Sequence, residues 1–324
     1  MTAQTISVAM CTYNGQRFLQ AQLESILQQS RPPAELIICD DRSIDSGGEI
    51  VREVAQNARF PVRFFVNDKN LKSTKNFENA IGLCRGSIVA LADQDDVWYE
   101  HKLDRIEKAF QSQSVVAAFS DADLIDENSQ PLGRRLWPTL SFDLAKQKAF
   151  AAGKALGVLV KHPVVTGATM AFRREVFECM APIPANEVHD QWMSFLLAAK
   201  GRIEIIPEPL IQYRRHAGQQ LGPGPTSLKS RMAEARARGE SFYVHEIDRF
   251  RQLHEHLEIH GDEFPGANYA QRAIRQKVAH LEHRARLSTA RADRIPKVLR
   301  EALNGNYWRY SGGWVSIAKD MIIR

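Results

Sequence analysis

The sequence lacks the glycine-rich phosphate loops of the common nucleotide-binding folds. No GxGxxG follows its first apolar segment, and no GxxxxGK[ST] occurs anywhere in its 324 residues. These absences argue against a dinucleotide-dependent dehydrogenase and a P-loop nucleoside triphosphatase, because both hold phosphates with such loops. A chain of this sequence that binds a nucleoside diphosphate has to neutralise the phosphate charge in another way.

Cysteine pairs and long apolar runs are also missing. The four cysteines, Cys11, Cys39, Cys84 and Cys179, form no CxxC pair, and three lie in or beside apolar segments. This pattern predicts reduced, mostly buried thiols in a cytosolic protein rather than a zinc site. No apolar run approaches the roughly 18 residues that span a bilayer. Residues 1–5 lead directly into an apolar segment, so we expect no signal peptide.

Charge is distributed unevenly along the chain. Residues 225–324 contain 18 Lys and Arg against 12 Asp and Glu, a net of +6, whereas residues 1–224 contain 25 and 26, a net of −1. The change falls at the Gly- and Pro-rich segment 221–225, which breaks regular structure. We therefore predict one domain over 1–224 and a basic helical region over 225–324. Its charge serves either a solvated helical face or contact with anionic lipid or another polyanion.

The first 120 residues alternate short apolar runs with apolar residues at helical spacing. Strands are predicted over 6–11, 35–39, 62–66, 88–92 and 115–119, and helices over 16–28, 48–58, 74–84 and 101–111. Repeated β–α units imply an α/β fold with a mostly parallel sheet flanked by helices.

The rest of the chain is less regular. We predict a mobile excursion over 130–162. Short strands are predicted over 169–172 and 203–206, and helices over 173–180 and 190–200. Beyond Pro225 the pattern is almost entirely helical, with a break near 261–266.

Three carboxylates follow one predicted buried strand. Asp93, Asp95 and Asp96 come directly after the apolar run 87–92. Ligands of an open α/β sheet bind beyond the carboxyl ends of its strands. Hard oxygen ligands clustered there suit Mg²⁺ or Mn²⁺ bridging to a substrate phosphate. The alternative is a polar loop with a helix N-cap, where Asp is common, but three carboxylates in four residues favour the metal site.

Polar residues also follow the first two predicted strands. Thr12, Tyr13 and Asn14 come after the first, and Asp40 and Asp41 after the second. A carboxylate here could accept hydrogen bonds from a pyrimidine N–H or a ribose hydroxyl. The alternative for both aspartates is a turn and the N-cap of the next helix.

Two further clusters lie later in the chain. Asp190 opens a predicted helix in HDQW, where it serves either as the N-cap or as a general base that deprotonates an acceptor hydroxyl. The cations of YRRH, at 213–216, suit a diphosphate, and His216 could also ligate a metal. The alternative for this cluster is a solvated basic turn.

Seven segments, in this order, resemble the inverting glycosyltransferases of family two, which have the GT-A fold. They are VAMCTYNGQRFL, LIICDDRSIDSG, NLKSTKNFENAI, ALADQDDVW, VTGATMAFRREVF, HDQW and YRRHAGQQLG. Together they sample residues 6–222. The combination of DQDDVW, HDQW and YRRH resembles the bacterial branch that includes rhamnosyltransferases of cell-surface polysaccharide assembly.

The resemblance implies a role for each motif. The residues implied to bind the nucleotide sugar are Thr12, Tyr13, Asn14, Asp40, Asp41, Asn76, Asp93, Gln94, Arg214 and His216. The implied metal ligands are Asp93, Asp95, Asp96 and His216, with Asp95 the foremost. Asp190 matches the catalytic base, although the family often has Glu-Asp where this chain has His189-Asp190. The residues implied to shape the acceptor site are Gly167, Ala168 and Trp192.

The activity implied is sugar transfer with inversion, aided by Mn²⁺ or Mg²⁺. The expected donor is a dTDP- or UDP-sugar, and the acceptor a glycan or lipid-linked hydroxyl at the cytoplasmic side of the membrane. No nucleic-acid partner is expected. One alternative is a sugar-phosphate nucleotidyltransferase, but residues 9–15 lack its Gly-rich, Arg-containing signature. Another is an inactive sugar-binding scaffold, against which the retention of every acidic position argues.

The last predicted helix carries an apolar face. Its residues are Trp314, Ile317, Ala318, Met321 and Ile322. We expect this face to pack on the same chain or on a second subunit of a homo-oligomer, or to contact a membrane surface.

Overall fold

The computed structural model describes residues 4–216 and 239–322. These residues divide into two compact units, one of 4–153, 164–197 and 201–216, the other of 154–163, 198–200 and 239–322. The predicted boundary between residues 224 and 225 lies outside the described residues and stays a prediction. So do the last six residues of YRRHAGQQLG.

A nine-stranded sheet forms the centre of the first unit. Its strands are β1 (Ile6–Thr12), β2 (Glu35–Asp40), β3 (Val62–Val66), β4 (Ile88–Ala92), β5 (Val97–Trp98), β6 (Val115–Ile125), β7 (Pro131–Arg135), β8 (Met170–Arg173) and β9 (Arg202–Arg214). The order is β3-β2-β1-β4-β8-β6-β9-β5, with β7 paired to β6. The strands β1 to β4 pair in parallel, whereas β8 runs antiparallel to both β4 and β6. The predicted mostly parallel α/β sheet is confirmed.

Helices α1 to α8 follow or interrupt these strands. They are α1 (Gln16–Leu27), α2 (Gly47–Gln56), α3 (Lys72–Leu83), α4 (Lys102–Ala109), α5 (Leu136–Thr139), α6 (Leu144–Ala151), α7 (Ala155–Leu159) and α8 (His189–Lys200). The four predicted helices of the first 120 residues are present. Their apolar faces cover a core in which every residue of β4 is buried, which explains the continuous apolar run of that strand.

The parallel register decides which residues share an edge of the sheet. Thr12 at the end of β1 lies opposite Asp40 at the end of β2. On the other side of β1, Met10 lies opposite Ala92, the last residue of β4. Polar residues that follow three different strands therefore emerge at one edge, as the strand pattern predicts.

The predicted mobile excursion over 130–162 is wrong. Its first part contains β7, α5 and α6, and it is held by an aromatic cluster. The ring of Phe119 on β6 lies 5.6 Å from Trp137 and 5.5 Å from both Phe142 and Phe150, between ring centroids. These aromatic residues are spaced too irregularly to show helical periodicity, yet they bury enough apolar area to order the segment.

Two other boundaries differ from the predictions. The predicted helix over 173–180 is a 3₁₀ turn, Arg174–Val176, followed by irregular turns. Prolines at 182 and 184 prevent a helix from continuing there. Strands β6 and β9 run well beyond the predicted 115–119 and 203–206, because they pair with each other through polar residues that mask the apolar pattern.

The second unit is helical. Besides α7 it contains α9 (Gly239–Ile259), α10 (Ala267–Ala285), α11 (Arg291–Leu303), α12 (Asn306–Tyr310) and α13 (Trp314–Ile322). The predicted helical character and the break near 261–266 are confirmed within the described residues. None of the described helices is both long and apolar enough to cross a bilayer.

The cysteines match their prediction as mostly buried thiols. All four are free, with Cys39, Cys84 and Cys179 buried and Cys11 half-buried. Burial raises the pKa of the Cys39 thiol to about 11 and that of the Cys84 thiol to about 12. These thiols are accordingly neutral packing groups.

Candidate active site

The ends of β1 and β2 are joined by the carboxylate of Asp40. Its Oδ1 accepts hydrogen bonds from Thr12 Oγ1 at 2.8 Å and Ser43 Oγ at 2.5 Å, and its Oδ2 accepts one from the Ser43 N–H at 2.8 Å. Ser43 Oγ in turn accepts a hydrogen bond from the Asn14 N–H. Asp40 therefore fixes the loops that follow β1 and β2 and does not cap helix α2.

Asp41 performs the same function on the other side of β2. Its Oδ1 accepts hydrogen bonds from Asn67 Nδ2 at 2.9 Å and the Leu71 N–H at 2.6 Å, and its Oδ2 accepts one from the Lys72 N–H at 2.8 Å. The side chain is buried at the N-terminus of α3, where a negative charge is favoured. Asp40 and Asp41 thus both organise the crevice, and which of them contacts a base stays open.

Backbone strain concentrates around this crevice. Asn14, Arg42 and Lys72 have positive φ angles of 47°, 64° and 64°, in the left-handed region that non-glycine residues avoid. Each follows a strand or opens a helix at the edge where β1 and β2 end. Strained residues held by fixed hydrogen bonds are a common mark of binding sites.

Gln94 connects the carboxylate run to the loop after β1. Its Oε1 accepts a hydrogen bond from the Tyr13 N–H at 2.8 Å, and its Nε2 donates to the Tyr13 carbonyl at 3.1 Å. A Cβ at position 15 would clash with the Gln94 side-chain amide, so a larger residue there would displace this amide from Tyr13. Tyr13 itself is 42 % exposed beside this contact, available to a ligand.

Three aspartates form an acidic cluster directly after β4. One ligand oxygen from each of Asp93, Asp95 and Asp96 lies within 4.8 Å of the others. None of the three caps a helix, because the next helix, α4, begins beyond His101. An N-cap role is therefore excluded for these residues, which lie in the loop between β4 and β5.

Residues at the end of β9 and directly after it form hydrogen bonds with the acidic cluster. The Arg214 N–H donates to Asp96 Oδ1 at 2.9 Å, and Arg214 Nε donates to the Asp95 carbonyl at 2.7 Å. His216 Nε2 lies 2.9 Å from Asp95 Oδ2. The second oxygen of Asp96 is buried and has no hydrogen-bond partner within residues 4–216 and 239–322.

The electrostatics of the cluster favour an added positive charge. Burial, then the neighbouring carboxylates of Asp95 and Asp190, raise the pKa of Asp93 to about 7. Burial, then the carboxylates of Asp95 and Asp93, raise the pKa of Asp96 well above its ordinary value. A crowded set of carboxylates with an orphaned oxygen fits a divalent cation, which would supply the missing partner.

Asp190 lies within electrostatic reach of the cluster, although nearly a hundred residues separate them in sequence. Helix α8 has Val188 as its N-cap, so Asp190 does not cap it. Instead, Asp190 Oδ2 accepts a hydrogen bond from the Gly167 N–H at 2.9 Å. This bond fixes one carboxylate oxygen in position.

His189 covers the turn that holds Asp190. Its ring stacks on Phe77 at 4.2 Å between centroids, and neither ring nitrogen has a hydrogen-bond partner among the described residues. Burial lowers the pKa of His189, which keeps the ring neutral. A Cβ at position 167 would lie 2.8 Å from His189 Nε2, so Gly167 is required for this packing.

Three of the predicted contact residues are turned away from the crevice. Asn76 is buried, and its amide bonds the Cys39 carbonyl and Asn67. Trp192 is 1 % exposed, with Nε1 donating to the Met180 carbonyl. The guanidinium of Arg214, also 1 % exposed, lies over the Phe18 ring and donates to Ser129 Oγ. Each of these three side chains is buried and bonded within the protein, as Asp40 and Asp41 are, so the structure gives all three a supporting role, and their predicted direct contacts stay predictions.

Two residues of the site were missed by sequence reasoning. Lys102 is fully buried, and its Nζ donates to the Ala168 carbonyl at 2.8 Å. Burial lowers its pKa to about 7 despite the attraction of Asp96 and Asp93. Lys102 lies one turn before the buried Ile106 on the apolar face of α4, and this position in the apolar pattern could have identified it as a buried residue. The other is Asn67, which comes directly after β3, as Asp41 comes directly after β2.

The sequence profile described as glycosyl transferase family 2 matches residues 7–181, more than half of the chain. An uncharacterised glycosyltransferase of Nostoc sp. is 29 % identical over 237 residues, which are 72 % of this chain and 71 % of that protein. The Escherichia coli UDP-Glc:α-D-GlcNAc-diphosphoundecaprenol β-1,3-glucosyltransferase is 24 % identical over 38 % of this chain and 48 % of that protein.

Two solved structures share the architecture. Residues 1–349 of S. aureus TarS superpose with a TM-score of 0.55 at 14 % identity, over 98 % of this chain and 80 % of that one. The mannosyltransferase PcManGT of Pyrobaculum calidifontis, solved with GDP-Man and Mn²⁺, has a TM-score of 0.55 at 17 % identity, over 99 % and 86 %. Identities this low bear on the fold alone.

Proposed function

Because the chain belongs to glycosyl transferase family 2 and has the GT-A fold, we propose that it transfers a sugar with inversion from a nucleoside-diphosphate donor to an acceptor hydroxyl. The acceptor is a glycan or a lipid-linked sugar of bacterial cell-surface polysaccharide synthesis, on the cytoplasmic side of the membrane. The observation that carries the proposal is the juxtaposition of the acidic cluster after β4 with Asp190, each held by other parts of the chain.

Donor binding is assigned to the edge of the sheet where β1, β2 and β4 end. Thr12, Tyr13, Asn14, and Asp40 or Asp41 hold the base and ribose. The exposed ring of Tyr13 is available to stack on a base, and Gln94 keeps its backbone in place. The crevice has no glycine-rich loop, so the diphosphate depends on the acidic cluster and its cation.

Asp93, Asp95 and Asp96 are the residues that would hold Mn²⁺ or Mg²⁺. When bound, the cation supplies positive charge that stabilises the departing nucleoside diphosphate. His216 bonds Asp95 Oδ2 and so orients that carboxylate, and its direct ligation of the cation remains a prediction. The buried Lys102 adds positive charge of the protein itself, which attracts Asp93 and Asp96.

Asp190 is assigned as the general base. The Gly167 N–H holds its Oδ2, which leaves Oδ1 to accept the proton of the acceptor hydroxyl. The acceptor oxygen then forms a bond to the anomeric carbon, while the bond from that carbon to the phosphate oxygen breaks and its electron pair leaves with the diphosphate. Attack opposite to the leaving group inverts the anomeric centre, through a transition state of oxocarbenium character.

The donor is proposed to be a dTDP-sugar such as dTDP-rhamnose, or else a UDP-sugar. The resemblance of DQDDVW, HDQW and YRRH to the rhamnosyltransferase branch supports the first. The UDP-glucose named for the Escherichia coli relative and the UDP-GlcNAc complex of TarS support the second. A panel of dTDP-, UDP- and GDP-sugars, assayed with Mn²⁺ for nucleoside-diphosphate release, distinguishes them.

The decisive variant is Asp190→Asn. Loss of the base should lower kcat by about 10²- to 10⁴-fold while donor affinity, measured by calorimetry with Mn²⁺, stays within a factor of about two. The matched control is Asp104→Asn, on the exposed face of α4, which removes the same charge and should leave kcat unchanged. Full transfer by Asp190→Asn would refute the assignment of the base.

A further inference from the structure

The last three helices bury two of their three acids and expose many of their apolar residues. Asp320 is fully buried on α13, where Arg284 Nε donates to its Oδ2 at 2.6 Å and the Tyr307 hydroxyl donates to the same oxygen at 2.8 Å. Glu301 on α11 bonds His280 Nδ1 at 2.6 Å. The buried faces of α11 and α13 are therefore partly polar. Some apolar side chains of these helices are exposed to solvent instead.

Only part of the apolar face predicted for the last helix is buried. Ile317 is buried and Met321 packs beside it, whereas Trp314, Val315 and Ile322 are 72 %, 75 % and 66 % exposed. The ring of Trp308, itself 38 % exposed, meets the Trp314 ring edge-on at 5.3 Å between centroids. Two tryptophans and two aliphatic side chains thus lie in solvent on α12 and α13.

Helix α11 adds a second exposed stripe. Ile295, Leu299 and Leu303 recur every four residues, on a helical face beside the one that buries Arg294, Val298 and Glu301. Leu303 is 88 % exposed. Exposed apolar side chains on consecutive helices mark an interaction surface rather than chance.

The charged residues around these stripes are mostly basic. Within 291–322 the exposed cations are Arg291, Lys297, Arg300 and Arg309. Of the three acids in the same range, Glu301 and Asp320 are buried in hydrogen-bonded pairs, and only Asp293 is exposed. The outer face of α11 to α13 is therefore both apolar and positively charged.

We propose that the outer face of α11, α12 and α13 docks on an anionic lipid bilayer. Tryptophans and aliphatic side chains beside Arg and Lys are the composition that lies in the interfacial plane of a membrane with negatively charged headgroups. A second copy of the chain fits less well, because a two-fold interface would place the same basic residues opposite each other. The contact is separate from the proposed catalysis, since it is formed by the second unit.

The tryptophans give a direct readout of docking. The chain has five, and Trp98, Trp137 and Trp192 are buried at 4 %, 2 % and 1 % exposure. Quenching of fluorescence by brominated lipid therefore reports on Trp308 and Trp314. We expect quenching with vesicles of brominated phosphatidylcholine and phosphatidylglycerol, weakened by salt, and little with phosphatidylcholine alone. No quenching at low salt on anionic vesicles would overturn the proposal.

Exposed side chains allow variants that leave the core intact. The double variant Trp314→Ser/Ile322→Ser should weaken co-sedimentation of the full-length protein with anionic vesicles by about tenfold or more. Its control, Val244→Ser/Ile259→Ser, removes two similarly exposed apolar residues of α9 and should bind as the parent does. Equal loss in both variants, or loss in neither, would refute the surface.

The electrostatic part is tested in the same way. Arg300→Gln/Arg309→Gln should weaken binding about tenfold, whereas Arg52→Gln/Arg59→Gln, which removes two exposed charges of the first unit, should not. Sedimentation velocity without lipid tests the competing occupant. A dimer of the parent protein that Trp314→Ser/Ile322→Ser converts to monomer would assign the face to a second copy and overturn membrane docking. The vesicle-binding and sedimentation measurements need neither sugar donor nor acceptor. A negative result would therefore overturn membrane docking without bearing on the proposed sugar transfer.

Discussion

Both units bury charged side chains, but the first gathers charges of one sign, whereas the second pairs opposite charges. In the first unit, Asp93, Asp95 and Asp96 repel each other, and one oxygen of Asp96 has no hydrogen-bond partner in the part of the chain that the structure describes. In the second unit, Arg284 meets both oxygens of Asp320, and His280 meets Glu301 and Ser311. A satisfied network holds helices together, whereas an unsatisfied one stores repulsion that a ligand can relieve.

The last helices of the second unit combine this network with a small apolar cluster. The core cluster of its last helices consists of Leu287, Val298, Tyr307 and Ile317. Lys277, also buried, donates to the Tyr310 carbonyl. The polar contacts therefore determine how α10 to α13 pack on one another.

The largest expected effect is the loss of one partner from the satisfied network. Asp320→Ala should lower the free energy of unfolding by about 3–5 kcal/mol, because it leaves the Arg284 guanidinium buried and unpaired. Urea denaturation measures the change. Asp104→Ala, which breaks the solvent-screened pair with Lys108, should change the free energy of unfolding far less. Comparable losses in the two variants would remove the distinction between a structural network and a surface pair.

A second test uses the pH dependence of His280. Burial lowers its pKa to about 4 in the folded protein, so between about pH 4 and 6.5 the unfolded chain binds more protons. This contribution to stability is full above pH 6.5 and is lost as the pH falls, by up to about 1.4 kcal/mol per unit. His280→Gln should flatten the pH profile of unfolding in that window, whereas the exposed His245→Gln should not change it. Parallel profiles for His280→Gln and the parent would contradict this.

The geometry around Asp190 gives a third test, in activity rather than stability. Gly167→Ala brings a Cβ to 2.8 Å from His189 Nε2 and should displace the turn that holds Asp190. We expect kcat to fall by about 10- to 100-fold with little change in donor affinity. His189→Ala in the same chain should restore part of the loss, because it makes room for the added methyl group. A Gly167→Ala protein with full kcat would show that the turn has no positioning role.

The smallest expected effect is a gain in the free energy of unfolding rather than a loss. It tests most directly whether the buried charges of the two units differ in kind. Asp93→Asn removes one charge from the repelling cluster, so the protein in EDTA at pH 8 should become more stable by about 1–2 kcal/mol. The same variant should lose Mn²⁺-dependent donor binding. Thermal unfolding with EDTA and with Mn²⁺ separates the two effects. Destabilisation in EDTA would mean that the cluster is a structural network like that of the second unit.

Much of the first unit was predictable from local pattern. The apolar runs of β1 to β4 and the helical spacing between them gave the parallel sheet, and with it the convergence of Thr12, Asp40 and Asp93 at one edge. The aromatic cluster of Phe119, Trp137, Phe142 and Phe150 was not predictable, because its members come from segments without periodicity.

The site residues likewise divide into those that the local sequence predicted and those that it did not. The acidic cluster was predictable from the residue types and from their position after a strand. The same information did not predict which polar side chains are buried. Arg214 is a cation beside a predicted phosphate site, yet its guanidinium is buried beneath the cluster. Asn76 and Trp192 are likewise engaged by backbone carbonyls. Side-chain direction at the end of a strand depends on neighbours that are distant in sequence.

By itself, the sequence determined the β–α alternation, the placement of the carboxylates at strand ends and the resemblance of the seven motifs, because each depends on residues close together in the chain. Only the tertiary structure decided which charges are satisfied. It paired Asp320 with Arg284, left Asp96 with an unmatched oxygen, and turned Trp314 outward while Ile317 faced inward. Burial and pairing are properties of contacts between distant segments, so no local pattern contains them.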